Sequence, residues 1–214
     1  MKKSIQFVAL ALLLSQAAFA QENISFGPLA GVSIANVRGD ITNRAWNPGP
    51  TLGGFINYSA NSGFGVSGQV LYTQLGSKEK VGDGVWRLNY VQVPILATYF
   101  LGKFGQKVRP KLFIGPHVNF LLSAKNQDGV DLNPKIGDSR PFKSIDAGLT
   151  AGVGLNVRLA NKIWLNTDVR YGMGLVPLGP EGLIKIYNQN FGVNVGVSFP
   201  LGKYNTKTGG ITSR

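Results

Sequence analysis

Few side chains in this 214-residue sequence could do chemistry. His117 is the only histidine and cysteine is absent, which excludes disulfides, thiolate metal sites and cysteine nucleophiles. A catalytic histidine needs a serine or an acidic side chain beside it, but Asn119 is the next residue on the same face of its segment. We therefore predict that His117 is a hydrogen-bonded interior imidazole, and that the chain has no catalytic site, no metal and no cofactor.

One glycine-rich stretch matches a nucleotide-binding motif. Residues 63–68 read GFGVSG, which fits the G-x-G-x-x-G pattern of dinucleotide sites. In those sites a helix begins at the glycines. Here residues 69–75 continue an alternation of side chains that indicates a strand, so we predict no nucleotide site.

Charged residues on the polar face of the predicted strands form the more informative set: Lys111, Asp146, Arg158, Asp168 and Arg170. Charges inside a narrow interior must pair or be hydrated, because an uncompensated one costs several kcal/mol. We predict that these five residues and His117 form an interior polar network that plugs the molecule. An ion-conducting lumen is the alternative that stays open.

A tight turn would set the partners of two of these charges. If residues 160–161 form that turn, Arg170 lies opposite about Gly152 and Asp168 lies opposite about Gly154. Because glycine has no side chain, we expect these positions to leave room for the long arginine.

The segments that must position these side chains alternate between apolar and small or polar residues, with a period of two. Between Asp146 and Arg158, apolar residues occupy the odd positions, and small or polar residues occupy the even ones. Seven other segments alternate in the same way: 24–34, 52–58, 64–73, 90–99, 112–122, 163–172 and 190–199. Their polar faces are dominated by Gly, Asn, Ser and Thr, which suit a crowded interior better than a wet surface. The pattern predicts an all-β fold, a closed antiparallel up-and-down transmembrane β-barrel of about eight strands.

The first twenty residues are predicted to be a signal peptide. Lys2 and Lys3 precede the apolar run 7–14, and residues 18–20 supply the small side chains for cleavage before Gln21. The alternative, an inner-membrane anchor, needs about 20 apolar residues. We therefore predict an outer-membrane barrel domain over residues 21–200 in a Gram-negative envelope. Residues 201–214 are predicted to be a flexible periplasmic tail, with a docking peptide as the alternative.

The links between the segments alternate in length. Residues 37–49, 76–84, 125–141 and 176–187 are predicted as long loops, and residues 59–63, 102–108 and 160–161 as short turns. Outer-membrane barrels carry long loops outside and tight turns in the periplasm, so both chain ends are predicted to be periplasmic. Aromatic residues predict two interfacial girdles: Tyr58, Phe64, Tyr99 and Phe199 on one side, and Tyr72, Phe120 and Tyr187 on the other.

Two prolines lie in the middle of neighbouring predicted strands. Pro94 and Pro116 cannot donate to a hydrogen-bond ladder. They predict a bulge, which would reverse the inward direction of His117.

Basic residues gather at the predicted periplasmic end. The chain has 22 Lys and Arg against 10 Asp and Glu, and the predicted periplasmic basic rim consists of Lys103, Lys107, Arg109, Lys162, Lys203 and Lys207. Such a rim favours anionic lipid headgroups or acidic envelope proteins, each contact contributing about 1 kcal/mol. A solvated rim that only aids solubility is the alternative. Export excludes nucleic acid as a partner.

Several of these segments resemble a known family. Residues 71–78 (LYTQLGSK) and 89–96 (NYVQVPIL) look like the third and fourth strands of the PorT-like outer-membrane β-barrel family, whose members are also called porin family proteins. Residues 111–125, 146–148 and 170–172 resemble its fifth, sixth and seventh strands. The resemblance implies the barrel fold. Because the name-giving type is implicated in a secretion system, it also implies an accessory role in secretion or assembly.

Three classes of function follow. The first is a non-enzymatic structural or accessory barrel of the envelope, with outer-membrane lipids and envelope proteins as partners. The second is a narrow porin or channel for small solutes or ions, and the third is a lipid-modifying barrel enzyme that would use His117. Side chains just fill an eight-stranded interior, which favours the first class.

Overall fold

The computed structural model describes residues 24–60, 63–102, 106–135, 140–160, 163–179 and 185–201, and the backbone of 203–204 and 211–212. The predicted signal peptide with its cleavage site, Asn161 of the predicted tight turn, Lys103, Lys162, Lys207 and the side chain of Lys203 lie outside the described residues. No helix in the described part of the chain is long and apolar enough to cross a membrane. Within the predicted tail, Lys203–Tyr204 pairs with Ile211–Thr212.

Across the described residues, eight long antiparallel strands form a closed barrel. They are β1 (Ile24–Gly39), β2 (Asn47–Ser59), β3 (Phe64–Glu79), β4 (Val85–Phe100), β5 (Val108–Lys125), β6 (Ile145–Ala160), β7 (Ile163–Gly174) and β8 (Ile186–Pro200). Each strand pairs with the next along the chain, and β1 pairs with β8, which closes the sheet. A two-residue strand, Arg44–Ala45, adds to β3. The predicted up-and-down barrel is confirmed.

Successive side chains point alternately outward and into the lumen. In β8, Val193 is 55% exposed, whereas the adjacent Asn194 is 2% exposed. Apolar residues cover the outside of the other strands, among them Val32, Ile56, Val70, Ile95, Ile114, Val153 and Val169. A closed barrel has no unpaired sheet edge, which is what a chain crossing a hydrocarbon layer requires.

Aromatic side chains lie outward near the strand ends. At one end Phe64 packs against Tyr99 with ring centroids 5.0 Å apart, and Phe199 packs against Phe26 at 6.4 Å. Toward the other end, the outward residues include Tyr72 and Phe120. Apart from Phe26, these residues are among those that the sequence assigns to the two girdles.

The two ends of the barrel differ. One end, which we call the turn end, carries both barrel termini and the links 60–63, 101–107 and 161–162. The opposite end, the loop end, carries the links 40–46, 80–84, 126–144 and 175–185. The prediction of a long loop over 76–84 is wrong, because residues 76–78 pair with residues 85–87 and extend β3 and β4.

An apolar cluster fills the lumen at the loop end. This loop-end cluster consists of Ala35, Val37, Leu75, Leu88, Tyr90, Ala124, Phe142, Leu178 and Ile186, all buried. Phe142 and Leu178 belong to the loops, and Lys143 N donates to Leu178 O at 2.7 Å. Phe142 also packs edge-on against Trp86, with ring centroids 5.7 Å apart. Two loops therefore fold into the mouth of the barrel and close it.

The first loop-end link is tied to this cluster through Arg44. Its guanidinium lies 3.6 Å from the centroid of the Trp86 ring. Burial there lowers the pKa of Arg44, an effect that Glu79 opposes at 3.8 Å. Arg44 stays a cation at physiological pH, because the ordinary pKa of an arginine lies far above that pH.

The predicted bulge at Pro94 and Pro116 is wrong. Pro94 pairs with His117, and the register is the same on both sides of each proline. Each proline instead interrupts the pairing with one neighbouring strand, because it has no N–H to donate. No extra residue is inserted, so the register does not shift there. The register shifts elsewhere, at Asn89–Tyr90 and at Arg158–Ala160. His117 therefore keeps its inward direction.

Candidate functional site: the polar lumen

An ion pair on β7 holds the centre of the lumen. Arg170 Nε and Nη2 donate to Asp168 Oδ1 and Oδ2 at 2.8 and 2.7 Å, and both side chains are buried. The register is the predicted one, with Arg170 opposite Gly152 and Asp168 opposite Gly154. Because both residues occupy even positions of one strand, they share the lumen face and can pair with each other in this two-point geometry.

The Arg170 guanidinium also spans the lumen. Its Nη1 donates to Gln69 Oε1 of β3 at 2.9 Å. Three strands separate β3 from β7 in either direction around the barrel, so the two strands face each other. Asn194 Nδ2 of β8 donates to Asp168 Oδ1 at 2.9 Å. These bonds, which we call the central bridge, cross the barrel at this level.

The glycines opposite the ion pair make room for other side chains. A β-carbon on Gly154 would lie 2.7 Å from Lys111 Cε, and one on Gly152 would lie 2.5 Å from a ring carbon of Phe113. The expectation that these two glycines accommodate Arg170 is therefore wrong. The stem of Arg170 lies instead beside Gly192, where a β-carbon would be 3.1 Å from its Cγ.

A second polar group surrounds Asp146, nearer the loop end. Asp146 Oδ2 accepts hydrogen bonds from Asn119 Nδ2 at 3.0 Å and from Asn188 Nδ2 at 2.9 Å. Gln92 Nε2 donates to Asn119 Oδ1 at 2.9 Å, and Asn188 also donates to the Tyr90 hydroxyl at 3.3 Å. Asn188 lies on β8 and Tyr90 on the facing strand β4, so these bonds cross the lumen a second time.

His117 lies between these two groups and is 3% exposed. Its Nδ1 is 2.9 Å from Thr150 Oγ1, and Gly148 leaves space beside its ring. The imidazole has no carboxylate partner among the described residues. Nor do those residues contain a group of three or more His, Asp or Glu side chains that could hold a metal ion. His117 is thus hydrogen-bonded to Thr150 and packed beside Gly148.

The other two predicted network residues, Lys111 and Arg158, lie on the turn-end side of Arg170. Lys111 points inward, and its Nζ lies 5.9 Å from the centroid of the Phe113 ring. Arg158 is half-buried, with its guanidinium 5.9 Å from the Trp164 ring. The structure thus joins Asp168 and Arg170 directly and brings Lys111 beside Asp168 across Gly154. It places Asp146, His117 and Arg158 at other levels of the same lumen.

One residue of the predicted basic rim lies inside the barrel. Arg109 is 6% exposed, with its guanidinium 4.3 Å from the centroid of the Phe100 ring. Its placement on the solvent-facing rim is wrong, because Arg109 has the same odd parity as Lys111 and Phe113 and so faces the lumen. Lys107, by contrast, lies exposed in a turn-end link.

Several lumen residues were not identified from the sequence. Gln69, Asn188 and Tyr90 carry the crossing bonds, yet each looks like an ordinary member of an alternating strand. Their inward parity was a usable signal. Their partners were not visible, because the facing strands are far apart in the chain.

A small recess lies between the central bridge and the turn end. Its volume is about 20 Å³, and its polar lining includes Lys111, Asn156, Asn166, Asp168 and Arg170. Apolar side chains of Leu29, Phe55, Phe100 and Phe113 complete the wall. The recess has room for a water-sized molecule.

Comparison with known proteins agrees with this fold. A family model described as outer membrane protein beta-barrel domain matches residues 19–179. Neisserial surface protein A is 18% identical, with a TM-score of 0.51 over 82% of this chain and 96% of that chain. OprG from Pseudomonas aeruginosa is 16% identical, with a TM-score of 0.50 over 84% and 96%. A major outer membrane protein from Thermus thermophilus is 14% identical, with a TM-score of 0.51 over 82% and 98%. At these identities the likeness shows the fold alone, and no curated protein matches the sequence.

Proposed function

The chain belongs to the outer membrane protein beta-barrel domain family, and on that premise we propose that it is a non-enzymatic, non-conducting barrel with a structural or accessory role in the envelope. Its place is the outer membrane. In this role the barrel anchors the loop end on one side of the membrane and the turn end on the other, and it passes no solute between them.

The observation that carries this proposal is the obstruction of the lumen at three levels. The loop-end cluster closes the mouth, the Asp146 group crosses the interior below it, and the central bridge crosses again. Water and ions need a continuous polar path. A channel would require all three obstructions to move, which argues against the narrow porin.

The lipid-modifying enzyme is disfavoured by the position of His117, the residue that it would use. His117 is shielded from solvent and bonded to Thr150, and it does not line the recess. A lipid-modifying enzyme needs its base within hydrogen-bond reach of a substrate. This geometry supports a packing role for His117.

Conductance in planar lipid bilayers tests the proposal. We expect the purified protein, reconstituted without its signal peptide, to give no stable conductance steps. A matched control is the quadruple variant Phe142→Ala, Asp168→Ala, Arg170→Ala, Asn188→Ala. It removes the central ion pair and the Asn188 bonds that cross the lumen at the level of Asp146, and it thins the loop-end cluster, so it should give measurable openings. Stable steps from the wild-type protein, similar to those of the quadruple variant, would reject a closed barrel.

The accessory role is a proposal that rests on the resemblance to the PorT-like family. Loss of an accessory barrel should reduce secretion or assembly of other envelope proteins, whereas loss of a porin should reduce uptake of small solutes. We expect a deletion strain to show the first defect and not the second, measured by comparing its secreted and outer-membrane proteins with those of the parent. Complementation with the wild-type chain should restore them.

A further inference from the structure

The outer surface of β4 changes in character toward the loop end. Its outward positions from Tyr99 to Val91 carry one tyrosine followed by Ala, Ile, Val and Val. The next outward position is Asn89, which is polar, and the one after it is Arg87, which is charged and exposed. An apolar surface that ends in a neutral polar residue and then a cation is expected where a barrel leaves the hydrocarbon layer.

Neutral polar side chains form a hydrogen-bonded row at this boundary. Asn89 Oδ1 accepts from Gln74 Nε2 and from the Tyr72 hydroxyl, each at 3.0 Å. Asn89 Nδ2 donates to Ser123 Oγ of the next strand at 2.9 Å. Polar groups that leave water must find hydrogen-bond partners among themselves. Such bonding on an outward surface therefore places the row at the edge of the hydrocarbon layer.

Two cations lie one row beyond the neutral row. Arg87 of β4 and Lys125 of β5 are exposed and are register partners of each other. Two residues of a strand span about 6.5 Å, and the headgroup layer on each side of the hydrocarbon is about 5–7 Å thick. Arg87 and Lys125, which we call the rim pair, therefore lie at the level of lipid headgroups.

The outward surface around Arg87 supplies no counter-charge. Like charges directly opposite each other on adjacent strands are unfavourable, and Arg87 lies opposite Lys125. The other outward residues around Arg87, on its own strand and on the two adjacent strands, are Gln74, Gly76, Lys78, Val85, Asn89 and Ser123. None of them is a carboxylate. Within the described part of the chain, Arg87 also makes no salt bridge.

The carboxylates of the β3–β4 hairpin lie beside a different cation. Glu79 and Asp83 line a shallow pocket at the tip of the hairpin together with Lys78. Glu79 also approaches Arg44, at 3.8 Å. Lys78 is therefore compensated by its own hairpin and is not part of the rim pair.

The loop after β5 places a carboxylate beside Lys125. Asp131 is the register partner of Lys125 on the side away from β4, and its Oδ1 accepts a backbone N–H at 2.9 Å. Asp128, further along the same loop, accepts from Asn126 Nδ2 at 3.2 Å. Asp131 therefore offsets Lys125 in part, and Arg87 is the member of the rim pair that lacks an anionic neighbour.

A second outward arginine near the loop end has partners within the protein. The guanidinium of Arg38 lies 4.8 Å from the centroid of the Tyr187 ring, and its Nη2 donates to Gly174 O at 2.8 Å. Arg87 has neither an aromatic ring nor a carbonyl in this role among the described residues. Its guanidinium is thus available to a ligand from outside the protein.

We propose that the rim pair binds the phosphate group of a membrane lipid in the leaflet at the loop end, with Arg87 as the main ligand. A guanidinium can hold two phosphate oxygens at once. The occupant is a lipid rather than a soluble anion because the surface below the rim pair, at Val91 and Phe120, is apolar and can receive acyl chains. This site does not depend on whether the barrel conducts.

Native mass spectrometry of lipid binding tests the site. The protein, without its predicted signal peptide, would be refolded in amine-oxide micelles, whose headgroup carries no phosphate. The probes are dioleoylphosphatidic acid and dioleoylglycerol, which have the same acyl chains and differ in the phosphate. We expect the wild-type protein to bind the phosphatidic acid about tenfold more tightly than the diacylglycerol, because only the former makes charge-assisted contacts.

Arg87→Gln should weaken the binding of phosphatidic acid about tenfold and leave the binding of diacylglycerol unchanged. Arg87→Lys should weaken it less, because the charge is kept and the two-point contact is lost. The matched control is Lys185→Gln, which removes an exposed cation at the loop end beside β8, the strand that faces β4 across the barrel. It should bind phosphatidic acid as the wild-type protein does.

Circular dichroism checks that each variant forms the barrel, and Arg87→Met is the second neutral variant if Arg87→Gln does not refold. Equal affinities of the wild-type and Arg87→Gln proteins for phosphatidic acid would overturn the proposal. So would equal binding of the two lipids by the wild-type protein. Displacement of the phosphatidic acid by an equal concentration of inorganic phosphate would assign the site to a soluble anion and would also reject a lipid site.

Discussion

Arg170 makes three of the hydrogen bonds that form the central bridge, two to Asp168 and one to Gln69. Replacing it by methionine keeps the length of the side chain but leaves the Asp168 carboxylate buried without its cation. We expect Arg170→Met to lower the free energy of unfolding by about 3–5 kcal/mol, measured by urea unfolding in lipid vesicles.

A double-mutant cycle separates the ion pair from general packing. Asp168→Asn with Arg170→Met removes both charges, so no uncompensated group remains. The double variant should lose less stability than the sum of the two single variants, by about 0.5–3 kcal/mol. Additive losses would mean that the two residues stabilise the barrel independently and that the ion pair contributes nothing of its own.

Contacts between individual residues could be predicted from the sequence where the two residues lie on adjacent strands joined by a short link. The link between the two strands is short, so the placement of Arg170 opposite about Gly152 could be predicted and is confirmed, although Ala160 of the predicted turn belongs to the strand and pairs with Ile163. The Gln69 partner could not be predicted, since it lies 101 positions away, and no local rule connects facing strands of a barrel.

The outward face of each strand is a lipid-facing surface, and β8 offers a direct test of it. Val193 lies mid-strand and points away from the lumen. An arginine near the bilayer midplane costs about 2–4 kcal/mol, so Val193→Arg should lower the free energy of unfolding in vesicles by that amount. The control is Val81→Arg in a loop-end link, where the side chain is 80% exposed and the expected change is within about 0.5 kcal/mol. Equal effects would contradict the assignment of the two surfaces.

The loops behave as parts of the core, which the sequence did not reveal. The burial of a strand residue can be predicted from the two-residue alternation of apolar and polar side chains. Phe142 and Leu178 lie in links, where the sequence does not alternate in this way. Their burial depends on where the folded barrel places its mouth.

The interior is also not uniformly polar, since Leu29, Phe55 and Leu71 form a second buried cluster inside it.

Phe142 fixes the loop between β5 and β6. Phe142→Ala should remove much of its packing against Trp86 and the loop-end cluster. Losing about 1.4 kcal/mol of local stability raises the open population tenfold, and truncating a buried phenylalanine usually costs more. We therefore expect trypsin to cleave after Arg140 and Lys143 at least about tenfold faster in vesicles, with the barrel intact. Val130→Ala, an exposed change in the same loop, should leave the rate unchanged.

At the scale of the whole molecule, the fold was predictable because every strand of a membrane barrel shows the same two-residue alternation, and the sheet then closes on itself. Eight segments that alternate between apolar and small or polar residues were enough to predict an up-and-down barrel. The predictions that are wrong, such as those for Arg109 and for the 76–84 loop, concern residues at strand ends. There a shift of one or two residues decides whether a side chain faces lumen or solvent, and whether the strand continues.

The orientation of the barrel follows from the asymmetry of its two ends and can be tested on intact cells. The turn end, with both barrel termini, should face the periplasm, because barrels of this kind keep short turns there. The chain has no cysteine, so single cysteines report position without background. Val130→Cys lies in an exposed loop-end position and Lys107→Cys lies in an exposed turn-end link. A membrane-impermeant maleimide should label the first variant on intact cells and the second only after lysis. The opposite pattern would place the turn end and both barrel termini on the cell exterior and would contradict this orientation.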